Sequence, residues 1–199
     1  QVLARFENKA LLYNALYTTQ TNTGGQVYLG QSLFSKNTPP YDFTETDLGY
    51  LGSQHKFLLK LPQGQLTIDA KRGQIFLLSG TSAKELSGFG SGLNRFLTDH
   101  LPFEILKYFP EINIDNNFKD FGLHGVHDTK YDRVIITKLD YIPLSDIVLY
   151  DEETKDFYIE DKFGRKETVF VTDPSYFCNK SWTLSFNLNT GTWISFHSY

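Results

Sequence analysis

The sequence lacks several features by which proteins are commonly classified. Cys178 is its single cysteine, which excludes an internal disulfide, and the chain has no methionine at all. Apolar runs of membrane-spanning length are also missing, so the sequence predicts no membrane-spanning segment. Because Gln1 stands where an initiating methionine is expected, the sequence indicates a processed piece of a longer protein.

An excess of basic residues is missing as well. The 19 Lys and Arg residues are outnumbered by 23 Asp and Glu residues, which gives a formal charge of −4. Such a chain has no global positive field to hold a phosphate backbone, so charge does not predict a protein that wraps nucleic acid. Aromatic residues, in contrast, make up 16% of the 199 positions, with 17 Phe and 12 Tyr. This content favours pleated sheets and suffices for the core of one or two domains.

One spacing recurs along the chain. An Asp or Asn closes an extended run, and a bulky apolar residue opens the next run six positions later. The residues between are mostly polar or Gly, which is typical of turns. An Asp or Asn at a turn entrance accepts hydrogen bonds from backbone N–H groups ahead of it. Each occurrence therefore predicts a β-hairpin. The four pairs are Asp69 and Ile75, Asp128 and Val134, Asp151 and Phe157, and Asn187 and Trp193.

Three of these turn residues, Asp69, Asp128 and Asn187, are separated by 59 positions each time. Self-similarity at this distance is typical of propeller-like architectures built from short strands. We predict a mainly β fold, a β-propeller-like array of antiparallel hairpins, with one short inserted helix in which Leu93, Phe96 and Leu97 have helical spacing and which stops after His100. The helix has Ser91 as its cap and Pro102 beyond its end.

Two units are predicted along the chain. Residues 1–60 form an N-terminal segment that is partly irregular, and residues 61–199 form the propeller-like domain. Fewer than four blades fit in this length, whereas a closed propeller needs at least about four. The domain is therefore predicted to be incomplete within this chain and to leave open sheet edges.

The hairpin pattern assigns structural roles to eight residues. Asp69, Asp128, Asp151 and Asn187 are predicted to anchor the turns. The bulky residue six positions on is predicted to pack one blade on the next, which makes the inter-blade packing residues Ile75, Val134, Phe157 and Trp193.

Several long stretches resemble the virion tail proteins of crAss-like bacteriophages, and their muzzle (nozzle) proteins most closely. They are Ile68–Gly80 with Glu85-Leu86-Ser87, Gly125–Lys138, Ser181–Phe186 and Trp193–Tyr199, within residues 61–199. The resemblance implies a propeller-bearing structural subunit of a short phage tail. Its expected partners are other copies of the same protein in a ring, neighbouring tail proteins and the genomic DNA that passes through during ejection. The implied localisation is the virion.

Candidate catalytic and metal-binding residues have simpler structural interpretations. His124 and His127 precede Asp128, but alternation along a strand places the two imidazoles on opposite faces. Asp115–Asp120 resembles a calcium loop but lacks its Gly and final Glu, so a polar turn is predicted. Cys178 lies among aromatic residues and is predicted to be a buried structural thiol. Six carboxylates are mostly expected to be solvated turn residues: Asp140, Asp146, Asp151, Glu152, Glu153 and Asp161.

These observations predict a protein that is not an enzyme and has no cofactor or metal. It is interpreted as a structural component of a short phage tail that forms part of the genome-ejection conduit. The main alternative is a carbohydrate-binding module or receptor-binding virion domain, because five aromatic residues could stack on sugars: Trp182, Trp193, Tyr199, Tyr176 and Phe177. A glycosidase-like propeller is a more distant alternative. An exposed aromatic patch would favour carbohydrate binding, and a cleft that adds perturbed carboxylates would favour the glycosidase.

Overall fold

The computed structural model describes residues 2–6, 9–13, 16–20, 26–30, 40–43, 57–69, 72–112, 114 and 121–197. Antiparallel strands dominate these residues, and α1 (Leu93–His100) is the one α-helix among them, so the predicted mainly β fold with one helix is confirmed. The strands are β1 (Val2–Arg5), β2 (Ala10–Tyr13), β3 (Leu16–Gln20), β4 (Gln26–Gly30), β5 (Tyr41–Asp42), β6 (Leu59–Leu61), β7 (Gly64–Asp69), β8 (Gln74–Ser79), β9 (Ser82–Glu85), β10 (Gly122–Asp128), β11 (Arg133–Leu139), β12 (Tyr141–Pro143), β13 (Leu149–Asp151), β14 (Asp156–Glu160), β15 (Lys166–Val169), β16 (Phe177–Asn179), β17 (Trp182–Asn187) and β18 (Thr192–His197).

The first four-stranded sheet is a meander in which β6, β7, β8 and β9 pair in chain order. It leads through a 3-10 turn at Phe89–Ser91 into α1. The helix begins where the Ser91 hydroxyl accepts a hydrogen bond from the Leu93 N–H at 3.3 Å. It ends at His100, two residues before Pro102. Leu97 is fully buried on its inner face.

The second four-stranded sheet has the order β10-β11-β17-β18. Between β11 and β17 the chain leaves this sheet and forms two smaller ones, the pair β12-β16 and the three-stranded sheet β13-β14-β15. A bulge interrupts the register of β17 and β18, because Ser185 pairs with Ser195 and Phe186 with Trp193. Ile194 is the extra residue.

One apolar cluster joins the first and second sheets, α1 and the three-stranded sheet. A second cluster lies on the other face of the first sheet and contains Leu12, Phe43, Phe76 and Leu78. β8 is therefore buried on both faces, with Ile75 in one cluster and Phe76 in the other. A strand covered on both sides is expected to be continuously apolar, as Ile75–Leu78 is.

The described parts of the N-terminal segment contain five strands. Those of the sheet β1-β2-β5 pack on the first four-stranded sheet through the second cluster. The Arg5 guanidinium also donates to Thr67 Oγ1 at 2.6 Å and to the Phe57 carbonyl at 2.8 Å. The predicted boundary between residues 60 and 61 falls inside β6.

The 59-residue spacing does not mark equivalent places in the two sheets. The turn after Asp69 joins the second and third strands of its sheet. The turns after Asp128 and Asn187 join the first two and the last two strands of one other sheet. Among the described residues no sheet closes on itself. The spacing thus reflects a shared turn chemistry rather than a shared position in a blade.

Candidate functional site

The four predicted turns share one geometry. In each, the Asp or Asn pairs across the hairpin with the residue five positions on: Asp69 with Gln74, Asp128 with Arg133, Asp151 with Asp156 and Asn187 with Thr192. Four residues therefore form each loop. Loops of this length are commonly built around a type I turn.

The side chains at the turn entrances accept hydrogen bonds from backbone N–H groups two or three residues ahead. Asp151 Oδ1 accepts from Glu153 and Thr154 at 3.0 and 3.2 Å, and Asn187 Oδ1 accepts from Asn189 and Thr190, both at 2.9 Å. Asp128 Oδ1 accepts from Lys130 at 3.1 Å, and Asp69 Oδ1 from Arg72 at 3.2 Å. Each side chain thus accepts hydrogen bonds from turn N–H groups that have no partner in the hydrogen bonding between the two strands.

The fourth residue after each anchor is left-handed. Its φ is 65° at Gly73, 47° at Asp132, 61° at Lys155 and 66° at Gly191. Glycine adopts this conformation without strain, whereas Asp and Lys pay a steric cost. The sequence indicates a left-handed residue at this turn position only where the residue is Gly, as at Gly73 and Gly191.

The three anchoring carboxylates also form ion pairs. Asp69 Oδ2 lies 2.6 Å from Arg72, Asp128 Oδ2 lies 2.9 Å from Arg133, and Asp151 Oδ2 lies 2.8 Å from Lys166. The hydrogen bond from Lys166, followed by those from the turn amides, lowers the pKa of Asp151 from 3.8 to about 2. The hydrogen bond from Arg133 lowers the pKa of Asp128. Carboxylates with lowered pKa values stay ionised near neutral pH and are poor proton donors.

The four bulky residues after the turns differ in burial. Ile75 and Val134 are fully buried in the main cluster, and Phe157 is 6% exposed. Trp193 is half-buried and packs against the cluster from its margin. Its ring meets Phe186 edge-on, with centroids 5.0 Å apart. Trp193 therefore does not share the buried packing position of the other three residues.

Trp193 lines a cleft of about 500 Å³ between the two four-stranded sheets. One wall comes from the end of β9 and the 3-10 turn after it, and the other from the turn that joins β17 to β18. The Trp193 indole N–H donates to the Leu86 carbonyl at 2.8 Å, across the two walls. The lining residues are Glu85, Leu86, Gly88, Gly90, Ser91, Gly191, Thr192 and Trp193.

A buried ion pair is the polar feature that the sequence did not predict. Asp140 is fully buried, so its prediction as a solvated turn residue is wrong. Its Oδ2 lies 2.7 Å from Lys138 Nζ and accepts from the Glu104 N–H at 2.8 Å, while Oδ1 accepts from the Ile105 N–H at 3.2 Å. Sequence alone cannot show this arrangement, because 35 positions separate Ile105 from Asp140.

The Lys138 ammonium has three acceptors, which are Asp140 and the carbonyls of His100 and Pro102 at 2.9 and 2.7 Å. Burial lowers the pKa of Lys138, and the Asp140 carboxylate opposes this shift. Every ammonium proton can therefore be donated to a fixed oxygen. The pair fastens the segment after α1 to the end of β11.

The histidines lie on β10 as predicted, three positions apart. His127 Nε2 lies 3.2 Å from Asp132 Oδ1 in the Asp128 turn, whereas His124 Nε2 is buried and has no hydrogen-bond partner among the residues that the structure describes. Within the described ranges, no three His, Cys, Asp or Glu residues are grouped to hold a metal ion. Residues 115–120, predicted as a polar turn, lie outside the described residues.

The prediction of a buried Cys178 is wrong. Cys178 is half-exposed on β16, because the neighbouring Phe177 takes the inward position of this strand. Of the other carboxylates predicted to be solvated, Asp146, Glu152, Glu153 and Asp161 are exposed and Asp151 is half-exposed.

Large apolar side chains are exposed at several places among the described residues. Beside the three-stranded sheet, Phe163 and Phe170 are 84% and 71% exposed. On the edge strand β18, Ile194 and Phe196 are 51% and 52% exposed. Single exposed apolar residues are common on protein surfaces, so what distinguishes Ile194 and Phe196 is their place on an unpaired edge strand.

None of the helices in the described ranges is both long and apolar enough to cross a membrane. Comparison with known proteins gives no match: no protein-family model, no curated protein and no solved structure is similar to the chain.

Proposed function

We propose that the chain is a structural subunit of a short phage tail and forms part of the nozzle through which the genome leaves. The open edge of β18 is the observation that carries this proposal. No described strand pairs with the outer side of β18, and two large apolar side chains are exposed on it. An uncovered edge of this kind is suited to pairing with another chain.

The sequence resemblance supports the tail assignment. Its stretch Ile68–Gly80 covers the end of β7 and all of β8, Gly125–Lys138 covers most of the hairpin β10-β11, and its last two stretches fall on β17 and β18. The resemblance thus covers most of the second four-stranded sheet and a central strand of the first.

The two four-stranded sheets serve as blades of an incomplete propeller in this proposal. Ile75 and Val134 pack in the core that joins them, which is the inter-blade role expected of these positions. Other copies in a ring, together with neighbouring tail proteins, cover the open edges. The acidic net charge keeps the wall from retaining passing DNA, because carboxylates repel phosphates.

The described carboxylates favour a structural role over glycoside hydrolysis. A glycosidase needs an acid with a raised pKa beside a second carboxylate. Asp128 and Asp151 have lowered pKa values and hold turns, and Asp140 is buried against Lys138. These three side chains are engaged in fixing the backbone.

Sedimentation velocity on the purified chain tests the proposal, combined with an assay for hydrolysis of host surface glycans. The proposal predicts a closed oligomer that grows with protein concentration, and no hydrolysis. A chain that stays monomeric at high concentration, and that hydrolyses a glycan until one carboxylate is replaced, would overturn it in favour of an enzyme.

A further inference from the structure

The cleft beside Trp193 is built from two parts of the chain that are far apart in sequence. Leu86 and Trp193 both line the cleft and are joined by a hydrogen bond, although they are 107 positions apart in sequence. Its volume of about 500 Å³ lies within the range of about 300–1,000 Å³ found for small-molecule sites. The first sheet and the second sheet would both contact a molecule bound there.

Trp193 is held in a fixed orientation at the margin of the cleft. Its N–H is used by the Leu86 carbonyl, and Phe186 supports the ring from the core side. A ring fixed in advance loses little conformational entropy on binding. The half-exposed indole therefore offers a rigid apolar surface of the kind that stacks on a flat ligand face.

Hydrogen-bonding groups surround this surface. Glu85 Oε1 accepts from Ser87 Oγ at 3.1 Å and from Gln74 Nε2 at 3.3 Å, which fixes the carboxylate, and Oε2 lies on the Gly88 side. Ser91 and Thr192 lie on opposite walls. Ser91 Oγ donates to the Gly88 carbonyl at 2.8 Å and accepts from the Leu93 N–H at 3.3 Å, and Thr192 Oγ1 shares a hydrogen bond with Thr190 Oγ1 at 2.7 Å, so each hydroxyl retains an acceptor position for a ligand hydroxyl. Gly88, Gly90 and Gly191 leave the backbone of both walls accessible, because they carry no side chain.

The residue types that line the cleft favour some classes of ligand over others. The lining has no lysine or arginine, so it offers no charge for an anionic ligand. Trp193 is its one described aromatic residue, whereas the cages that bind quaternary ammonium groups use several. One apolar face surrounded by hydroxyl, carboxylate and backbone groups matches a pyranose, which has an apolar C–H face and equatorial hydroxyls.

We propose that this cleft binds a neutral saccharide, with one sugar ring on Trp193 and its hydroxyls on Glu85, Ser91 and Thr192. Binding fastens the 3-10 turn after β9 to the turn between β17 and β18. The cleft includes Thr192 and Trp193 at the start of β18 but not Ile194 and Phe196, on which the proposed function rests, and it exists in each copy of the chain.

Gly90 offers a variant that blocks the cleft without altering the fold. A Cβ at Gly90 would meet no atom within 4 Å, and its φ is not left-handed, so Gly90→Leu adds a large side chain to the lining of the cleft without a clash at Cβ. Ser82→Leu is the matched control, because it adds the same side chain at the exposed start of β9, away from the lining. Glu85→Gln is a second variant that removes the charge and keeps the volume.

Acrylamide quenching of tryptophan fluorescence provides the readout. The chain has two tryptophans, and Trp182 is only 4% exposed, so quenching reports mainly on Trp193. The probes are neutral oligosaccharides of glucose, galactose, mannose and N-acetylglucosamine. Thermal unfolding of each variant shows whether it is folded.

At least one probe is expected to protect Trp193 in the natural chain and in Ser82→Leu. Gly90→Leu and Glu85→Gln should weaken this protection at least about tenfold. Absence of protection by every probe at concentrations up to about 10 mM overturns the proposal, as does equal protection in both cleft variants. If the chain forms a closed oligomer but binds no saccharide, only the proposed binding site is contradicted. If it binds a saccharide but stays monomeric, only the proposed structural role is contradicted.

Discussion

The ammonium of Lys138 lies 2.7 Å from Asp140 Oδ2, with both side chains almost completely buried. The two residues are two positions apart at the end of β11, and their side chains lie on the same side of the chain. Between them they bond to the carbonyl of His100, the last residue of α1, and to the Pro102 carbonyl and two N–H groups of the segment that follows. This pair fastens the inserted helix to the second sheet.

Replacing Lys138 with Met is expected to destabilise the chain by about 3–5 kcal/mol, because it leaves a buried carboxylate without its cation. Urea unfolding followed by circular dichroism measures the change. Lys107→Met is the control: it removes an exposed ion pair to Glu104 nearby and should leave the unfolding midpoint almost unchanged. Equal effects of the two substitutions would contradict the assigned role of the buried pair.

Gly73 and Gly191 occupy the same turn position with almost the same φ, but they have different surroundings. A Cβ on Gly191 meets no atom within 4 Å, so Gly191→Ala should cost only the left-handed strain of about 1–2 kcal/mol. A Cβ on Gly73 would lie 2.7 Å from the Thr98 backbone N in α1. Gly73→Ala should therefore cost clearly more, and chemical denaturation of both variants measures the difference. If Gly191→Ala is the more damaging change, the Asp69 turn does not pack on α1 as described.

Replacing Asp151 with Asn should alter the acid sensitivity of the chain while keeping the turn. Asn187 already performs the same backbone role without a charge. The lowered pKa of Asp151 means that its ion pair with Lys166 stabilises the folded state above pH 3.8 and that this contribution is lost as the pH falls towards about 2.

The difference in unfolding free energy between the natural chain and Asp151→Asn should thus be largest near neutral pH and shrink between about pH 4 and pH 2. Unfolding curves at several pH values measure it. A difference that is constant, or that grows in acid, would show that the carboxylate is not stabilised by Lys166.

Replacing Ile194 with Lys should disrupt assembly without unfolding the chain. Ile194 is the bulged, 51% exposed residue of the open edge, and a charged lysine on an edge strand opposes strand pairing between chains. Sedimentation velocity is expected to show smaller species than the natural chain forms. Phe163→Ser removes an even more exposed apolar residue elsewhere and should leave the oligomer intact. The opposite pattern would place the contact between copies at the three-stranded sheet.

The sequence predicted the hairpins well because their determinants are local. An Asp or Asn such as Asp151 bonds to amides only two or three residues away, so the pattern is readable without knowledge of the fold. The helix is predictable for the same reason, from the local spacing of Leu93, Phe96 and Leu97 and from Pro102 beyond its end, although its N-cap is Gly92 and not the predicted Ser91.

Features that depend on distant residues could not be predicted. Asp140 resembles any loop carboxylate in sequence, and only its neighbours from the α1 segment make it a buried partner of Lys138. Short strands such as β12 and β16 pair across 33 or more positions and have no turn signal of their own. Trp193 matched the other three packing positions by spacing, yet the cleft beside it arises from how the two sheets meet.

Whether this chain is part of a phage tail can be tested by electron microscopy of the phage particles that encode it, after labelling with gold-conjugated antibody against the purified chain. Gold is expected at the tail, clustered around its distal opening. Particles without gold at the tail, when the same antibody detects the chain elsewhere in the infected culture, would contradict it.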